Sequence, residues 1–322
     1  MHYTIRHVTN FAYEAPISES VMEARMQPRS DAWQHCIRFG LSTTPSARVR
    51  MYQDADGNMV HHFSIPGRHS RLTLTAEAFV ECDAPRDLLS TLGPRAWEAL
   101  DRATAAGEFW DVLNPSPFAK RTPLLCALAE EMTLHRMPDP VSTLRHVMAE
   151  LYTRFEYRPK STRVDSPIDD ALSTKQGVCQ DFAHIMIALV RPLGIPCRYV
   201  SGYLFQPGET ATRSTDGATH AWVEAWLCDL GWIGFDPTHN SLAGEQHIRV
   251  AVGRDYSGVP PTRGVFKGSS AVRSELAVGV SIGTAQHFPD PAKFTPWMSR
   301  EASPPLAESD SQHQQQQQQQ QQ

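Results

Sequence analysis

Alternating apolar and polar positions dominate the first quarter of the chain. Over residues 71–78 the alternation puts Leu72, Leu74, Ala76 and Ala78 on one face, the period-2 pattern of a strand whose apolar side needs a second layer. Asp56-Gly57-Asn58 separates two further strand-like runs, 49–52 and 59–65, and reads as a hairpin turn because Gly and Asn tolerate positive φ. A β-rich, sandwich-like domain over residues 1–82 is predicted.

Past residue 83 the period lengthens. Leu124, Leu125, Leu128 and Met132 have helical spacing between Pro interruptions, which predicts a helical connector over residues 83–140. Residues 141–152 then form an amphipathic helix with Leu144, Val147, Met148, Leu151 and Tyr152 on one side, opening a second domain over residues 141–267. Within it, 175–194 reads as a Gly-containing turn running into an apolar helix that Pro192 and Gly194 end. Residues 219–227 alternate as a strand, with His220, Trp222, Glu224 and Trp226 on one face and Ala221, Val223, Ala225 and Leu227 on the other. The strand 231–236 follows the short turn 228–230, so the two are antiparallel neighbours, and Pro237 ends the ladder. After about residue 267 the periodicity fades, although 276–282 carries a last strand-like run. The extension 268–322 ends in a glutamine tract too polar to pack a core, and is expected to be a disordered tail. The order of elements predicts an α+β fold.

Composition narrows the function classes. The 322 residues are 41% apolar and 20% charged, which excludes wholesale disorder, and 30 Lys plus Arg against 35 Asp plus Glu leave a net charge of -5. With no basic run, nucleic acid is not an expected partner. No stretch approaches roughly 18 uninterrupted apolar residues, and residues 1–7 carry no apolar core of signal-peptide length, so no membrane association and a cytoplasmic location are expected. The six cysteines form no CxxC pair, HExxH is absent, and His61 and His62 would point to opposite faces of a strand. Neither a metal nor a cofactor is expected.

The chemistry concentrates in three segments. In Gly177-Val178-Cys179-Gln180-Asp181-Phe182-Ala183 the cysteine falls in or just before the first turn of the apolar helix, where unpaired N–H groups and the helix dipole stabilise negative charge on sulfur and can receive an oxyanion. A lone cysteine is usually a small buried apolar residue. Two further segments change that reading. His220 opens the strand 219–227, and pairing across the 228–230 turn brings Asp236 near it, so that the carboxylate accepts Nδ1–H while Nε2 faces the thiol.

In this order, Gly-Val-Cys-Gln-Asp-Phe-Ala, Thr-His-Ala-Trp-Val-Glu-Ala-Trp and Gly-Phe-Asp-Pro-Thr resemble the three blocks of the bacterial transglutaminase-like superfamily, with its transglutaminase-like cysteine proteases. Residues 194–203 are similar to that family's strand after the nucleophile helix, with Cys197 where a smaller residue is usual. Tyr13-Glu14-Ala15-Pro16 and Met26-Gln27-Pro28-Arg29 are similar to the N-terminal region that accompanies such cores. The resemblance implies a papain-like, transglutaminase-like α+β core with Cys179 as nucleophile, His220 as base and Asp236 as orienting carboxylate. It further implies a thioester formed from a peptide or glutamine amide of a protein or peptide substrate, then resolved by water or by a primary amine. The contrasting expectation is a non-catalytic peptide-binding module on the same fold.

Among the neighbours, Gln176 and Tyr157 are both candidates for a second oxyanion donor, and Trp222 for a wall of the acyl-binding cleft. Asp181 is expected to cap its helix, His184 to pack in the core, Glu224 to pair with Arg198, and His239 and Asn240 to cap a loop. Oligomeric state has no sequence signal here.

Overall fold

The computed structural model describes residues 1–83, 92–207, 219–268, 273–285 and 315–318. In chain order its elements are β1 (His2–Ala24), β2 (Gln34–Thr44), β3 (Arg50–Gln53), β4 (Met59–Cys82), α1 (Ala96–Ala105), α2 (Trp110–Leu113), α3 (Pro123–Glu131), α4 (Pro140–Arg154), β5 (Glu156–Tyr157), α5 (Ile168–Thr174), β6 (Gln176–Gly177) and α6 (Cys179–Val190). There follow β7 (Cys197–Leu204), β8 (His220–Leu227), β9 (Gly231–Asp236), β10 (Ser241–Leu242), β11 (His247–Gly253), β12 (Thr262–Lys267), β13 (Ser274–Thr284) and β14 (Gln315–Gln318). They divide into two units, 1–82 with 260–322 and 83–259.

The first unit is one curled antiparallel sheet. Its axis is the pair β1 and β4, which stay in register from His2↔Glu81 to Ala12↔Arg71, shift between Ala12 and Glu19, and pair again to Ala24↔His61. The shift falls at Pro16 on one strand and at Pro66-Gly67 on the other, where Gly67 has φ +95. A proline that cannot donate and a glycine in the left-handed region interrupt the ladder together, and the long strands bend there. Beyond the bend the two halves face each other: Phe11, Tyr13, Leu72 and Leu74 from one join Ile17, Met22, Phe63 and Ile65 from the other in a single buried cluster. The second layer implied by Leu72, Leu74, Ala76 and Ala78, all buried, is the same sheet returning on itself. The hairpin joins β3 to β4, with Gly57 at φ +74.

The outer edge of β1 differs from expectation. β13 covers it over residues 3–13 and β12 over residues 19–24, so residues 262–267 belong with the first unit and not with the core. The weak run at 276–282 lies inside β13. Of the expected disordered tail, the backbone of Gln315–Gln318 pairs with β12, whose open edge offers free N–H and C=O groups. Residues 286–314 and 319–322 lie outside the described residues.

The second unit packs helices on a five-stranded antiparallel sheet of order β10-β9-β8-β7-β11. The connector is helical, as α1 to α3, and α4 starts where Asp139 caps it, its carboxylate accepting from Val141 and Ser142 N–H at 2.9 and 3.1 Å, with Pro140 next. α6 is buried along its length after Cys179, which only an element enclosed by others can be. Its side chains share a core with α3, α4 and α5 and with Tyr199, Ala221, Val223, Ala225 and Phe235 from the near face of the sheet. The far face holds a smaller cluster of Val200, Trp222 and Val252, with Ala243 against it. Among the described residues no helix is long and apolar enough to cross a membrane.

Candidate active site

Local structure puts Cys179 at the first position of α6, after Val178 in extended conformation. Asp181 Oδ2 reaches back to the Val178 N–H at 2.8 Å and accepts the Thr162 hydroxyl at 2.5 Å, the capping role expected of it. Burial pushes this carboxyl up to about 6 against those two hydrogen bonds. Gly177 gives it room, since a Cβ there would lie 2.9 Å from the Asp181 Cβ. The turn is thereby fixed, and Cys179 stays half-buried at the end of the helix whose first N–H groups have no partner within it.

His220 is the first residue of β8 and is 4% exposed. In the β8–β9 register Val223 faces Phe235, so Asp236 lies diagonally from His220. The far edge of the ring spans that diagonal: Nε2 lies 2.8 Å from Asp236 Oδ2. Nδ1, the nitrogen nearer the backbone, is left on the side away from Asp236, and Cys179 is among the groups that raise His220. Asp236 is thus brought to His220, with the ring nitrogens exchanged relative to the sequence expectation. Burial pushes His220 down, and the charge and hydrogen bond of Asp236, helped by Cys179, overcome this and raise it to about 10. Asp236, wholly buried, would be pushed up by that burial, yet the histidines around it hold it well below the usual carboxylate range.

Those histidines are more numerous than the sequence suggested. His239 Nδ1 lies 2.8 Å and His247 Nε2 3.2 Å from the same Oδ2, while Oδ1 accepts the backbone N–H of Thr238 at 2.9 Å and of His239 at 3.3 Å. His239 thus does more than cap its loop. His247, on β11, was not singled out: a lone histidine at a strand start carries no spacing signal. His220, Asp236 and His247 bring atoms of metal-binding type within 4.8 Å of one another. The atom at the middle of this group is the carboxylate oxygen itself, with three ring nitrogens around it, which is a hydrogen-bonded arrangement rather than an ion-sized gap.

The remaining candidates fall into different places. Trp222 is 0% exposed and packs behind His220, ring centroids 6.0 Å apart and stacked, so it backs the imidazole and lines no open surface. Its indole N–H is buried without a hydrogen-bond partner. Gln176 spends its side chain at the surface, donating to Glu156 at 3.0 Å and accepting from Arg158 at 3.0 Å. Tyr157 pairs with Gly177 in the short parallel ladder of β5 and β6 and packs half-buried against the core. Tyr199, not among the candidates, lies under the start of α6: burial and then the neighbouring Cys179 raise its hydroxyl well above the usual tyrosine range. His184 is a core residue stacked on Phe118 at 5.4 Å, Cys197 is buried and donates to the Ile195 carbonyl at 3.2 Å, and Glu224 pairs with Arg198 at 2.7 Å.

Known proteins carry the same two parts. Residues 127–237 match the Transglutaminase-like superfamily core and residues 3–81 the Bacterial transglutaminase-like N-terminal region. An uncharacterized protein of Mycobacterium leprae is 34% identical over 278 residues, covering 85% of this chain and 96% of its own. A Protein-glutamine gamma-glutamyltransferase of Pseudomonas aeruginosa is 32% identical over 126 residues, 35% of this chain and 18% of its own. In fold, the chain is similar to the crystal structure of "a Putative Cysteine Protease from Cytophaga hutchinsonii", with TM-score 0.66 and 21% identity over 93% of this chain and 94% of that one. A curled N-terminal sheet, a core whose helix begins at a cysteine, and near-full-length likeness agree on one lineage: the chain belongs to the transglutaminase-like superfamily.

Proposed function

We propose that the protein is a thiol acyl-transfer enzyme acting on peptide or glutamine amide bonds, with Cys179 as nucleophile, His220 as acid and base, and Asp236 as the group that orients His220. The observation that carries this reading is the buried His220 imidazole, held 2.8 Å from a buried carboxylate and raised further by Cys179. At neutral pH a His220 raised to about 10 is protonated and can serve as the acid for a departing nitrogen.

The thiolate attacks the amide carbon, and the first-turn N–H groups of α6 receive the oxyanion. His220 gives its Nδ1 proton to the departing nitrogen as the C–N bond breaks, releasing ammonia or an amine and leaving a thioester on Cys179. Water or a primary amine then attacks the thioester, returning a proton to Nδ1, and the C–S bond breaks to restore the thiolate. Asp236 keeps the Nε2 proton in place and offsets the imidazolium charge throughout. Water gives hydrolysis and an amine gives transamidation. Six free cysteines support a reducing, cytoplasmic setting, which fractionation of cells would check.

Incubation with glutamine-containing peptides, with and without a primary amine, tests the reaction. Ammonia release that needs Cys179 and His220 is expected, with mass spectrometry reporting hydrolysed or amine-bearing product. If neither product forms and alkylation of Cys179 by iodoacetamide is indifferent to His220→Ala, the enzyme reading is wrong and a peptide-binding module takes its place.

A further inference from the structure

Asp236 has more donors than an orienting carboxylate needs. A carboxylate offers about four lone-pair positions, and five N–H groups converge on this one, three of them imidazoles on the single atom Oδ2. Their partners fix the tautomers of the two outer rings. His247 Nδ1 accepts the Gly244 N–H at 3.2 Å, so the proton of His247 is on Nε2, facing Asp236. His239 Nε2 lies 3.1 Å from Gln206 Nε2, an amide nitrogen that only donates, so the proton of His239 is on Nδ1, also facing Asp236.

The backbone is shaped for this convergence. His247 lies on β11 and Asp236 on β9, with β8 and β7 between them in the sheet. Residues 243–248 cross close beneath Gly202 and Gly234: a Cβ on Gly202 would lie 2.2 Å from the Ile248 carbonyl oxygen, and one on Gly234 2.4 Å from the Ala243 Cβ. Trp222 fills the space between, stacked on His220 and edge-on to His247 at 5.2 Å.

We propose that His239 and His247 are positioning residues: two neutral imidazoles that donate to the Asp236 oxygen used by His220, fix the rotamer of that carboxylate and limit how strongly it holds the His220 proton. The inference rests on the triad reading of Cys179, His220 and Asp236. Each N–H on Oδ2 draws off part of the carboxylate charge, so less is left to bind the His220 proton. With one donor removed, His220 holds its proton more tightly and passes it less readily to the departing nitrogen. The titratable groups around this centre are Cys179 at the start of α6, His220 on β8, Asp236 at the end of β9, His239 in the following loop and His247 on β11. Burial opposes a second proton on His247, Asp236 favours one, and the charge of His220 opposes it; the balance is downward.

The test uses the full chain labelled with ¹⁵N-histidine. Long-range ¹H–¹⁵N spectra at pH 7 are expected to show His239 as the Nδ1–H and His247 as the Nε2–H neutral tautomer. In His247→Leu the His220 titration is expected to move upward by roughly half a unit to one unit, while His247→Gln, which keeps a donor at the same reach, returns to the wild-type value. The pair His239→Leu and His239→Asn repeats the comparison at a less buried position, and decides the matter if His247→Leu does not fold. An imidazolium or the opposite tautomer at either residue, or a His220 titration unmoved by both leucine variants, overturns the proposal. Correct tautomers and the expected shift in a protein that turns over no amide would sink the acyl-transfer reading and leave the network intact.

Discussion

At the scale of single residues, the decisive quantity is the balance on His220. Burial opposes its charge, and Asp236 more than restores it, so the pair exists as imidazolium and carboxylate from the acid side up to about pH 10. Asp236→Asn removes the charge and leaves the burial. His220 then loses its proton at or below its ordinary value of about 6.5, and an amide nitrogen is turned toward some of the N–H groups that faced the carboxylate. We expect kcat/KM for amide turnover to fall on the order of 10³-fold or more, with its alkaline limb moving from near pH 10 to near or below neutrality in a pH–rate profile. Stability carries the same sign. A group raised in the folded state stabilises it fully below its unfolded value and loses that contribution as pH rises through the folded value. The wild type therefore loses stability between about pH 6.5 and 10 where the Asn variant does not. Cys179, His220 and Asp236 are legible as candidates because each sits in a block with its own local pattern. The ring nitrogens were assigned the other way round because sequence gives the register of two strands and not the reach of a ring across their diagonal. His247 was illegible because its partner is brought to it by a crossing that two glycines permit.

Among the elements, those with local signals were read correctly and those defined by close approach were not. The Asp56-Gly57-Asn58 hairpin and the amphipathic helix over residues 141–152 are each written in one short run of sequence. The bend of β1 and β4 is not, since apolar alternation resumes on either side of it and only the pairing register betrays the shift. Gly202 is a similar case. It sits in the middle of β7, opposite His220, where a glycine ordinarily weakens a strand. Its use is space: Gly202→Ala would drive a methyl into the Ile248 carbonyl and the Trp222 ring. A backbone oxygen cannot swing away as a flexible side chain can, so β11 must leave β7. We expect a loss of roughly 2–4 kcal/mol in urea unfolding, together with weaker Cys179 alkylation as His220 and His247 lose their shared support.

For the whole molecule, the chain leaves the first unit at residue 82, completes the second by residue 259 and then returns to close the first. Pairing between β1 and β13 joins residues such as Tyr3 and Thr284, and no local pattern announces a partner so distant in sequence. That is why residues 260–267 were read as part of the core and residues 274–284 only as a weak final strand. Truncation after Val259 should strip both β12 and β13 from β1 while leaving every strand of the core sheet in place. Hydrogen exchange is expected to speed up along β1 far more than along α6, and equal loss of protection in both would contradict the division into two units.

This return has a bearing on how the protein is made. As the chain leaves the ribosome, the long β1 is synthesised well before the strands that cover it, and its outer edge stays bare until residues 260–284 arrive. At elongation rates of about 5–20 residues per second that is a delay of roughly ten to fifty seconds. Throughout it, a strand of 23 residues offers unpaired N–H and C=O groups to any other nascent chain. The strand carries Arg6, Glu14, Glu19 and Glu23 at exposed or half-buried positions, and charges of this kind discourage such pairing. Crowded translation, as in strong overexpression, is therefore the condition under which the first sheet is most open to pairing between molecules, while the cysteine-bearing core is completed from contiguous sequence.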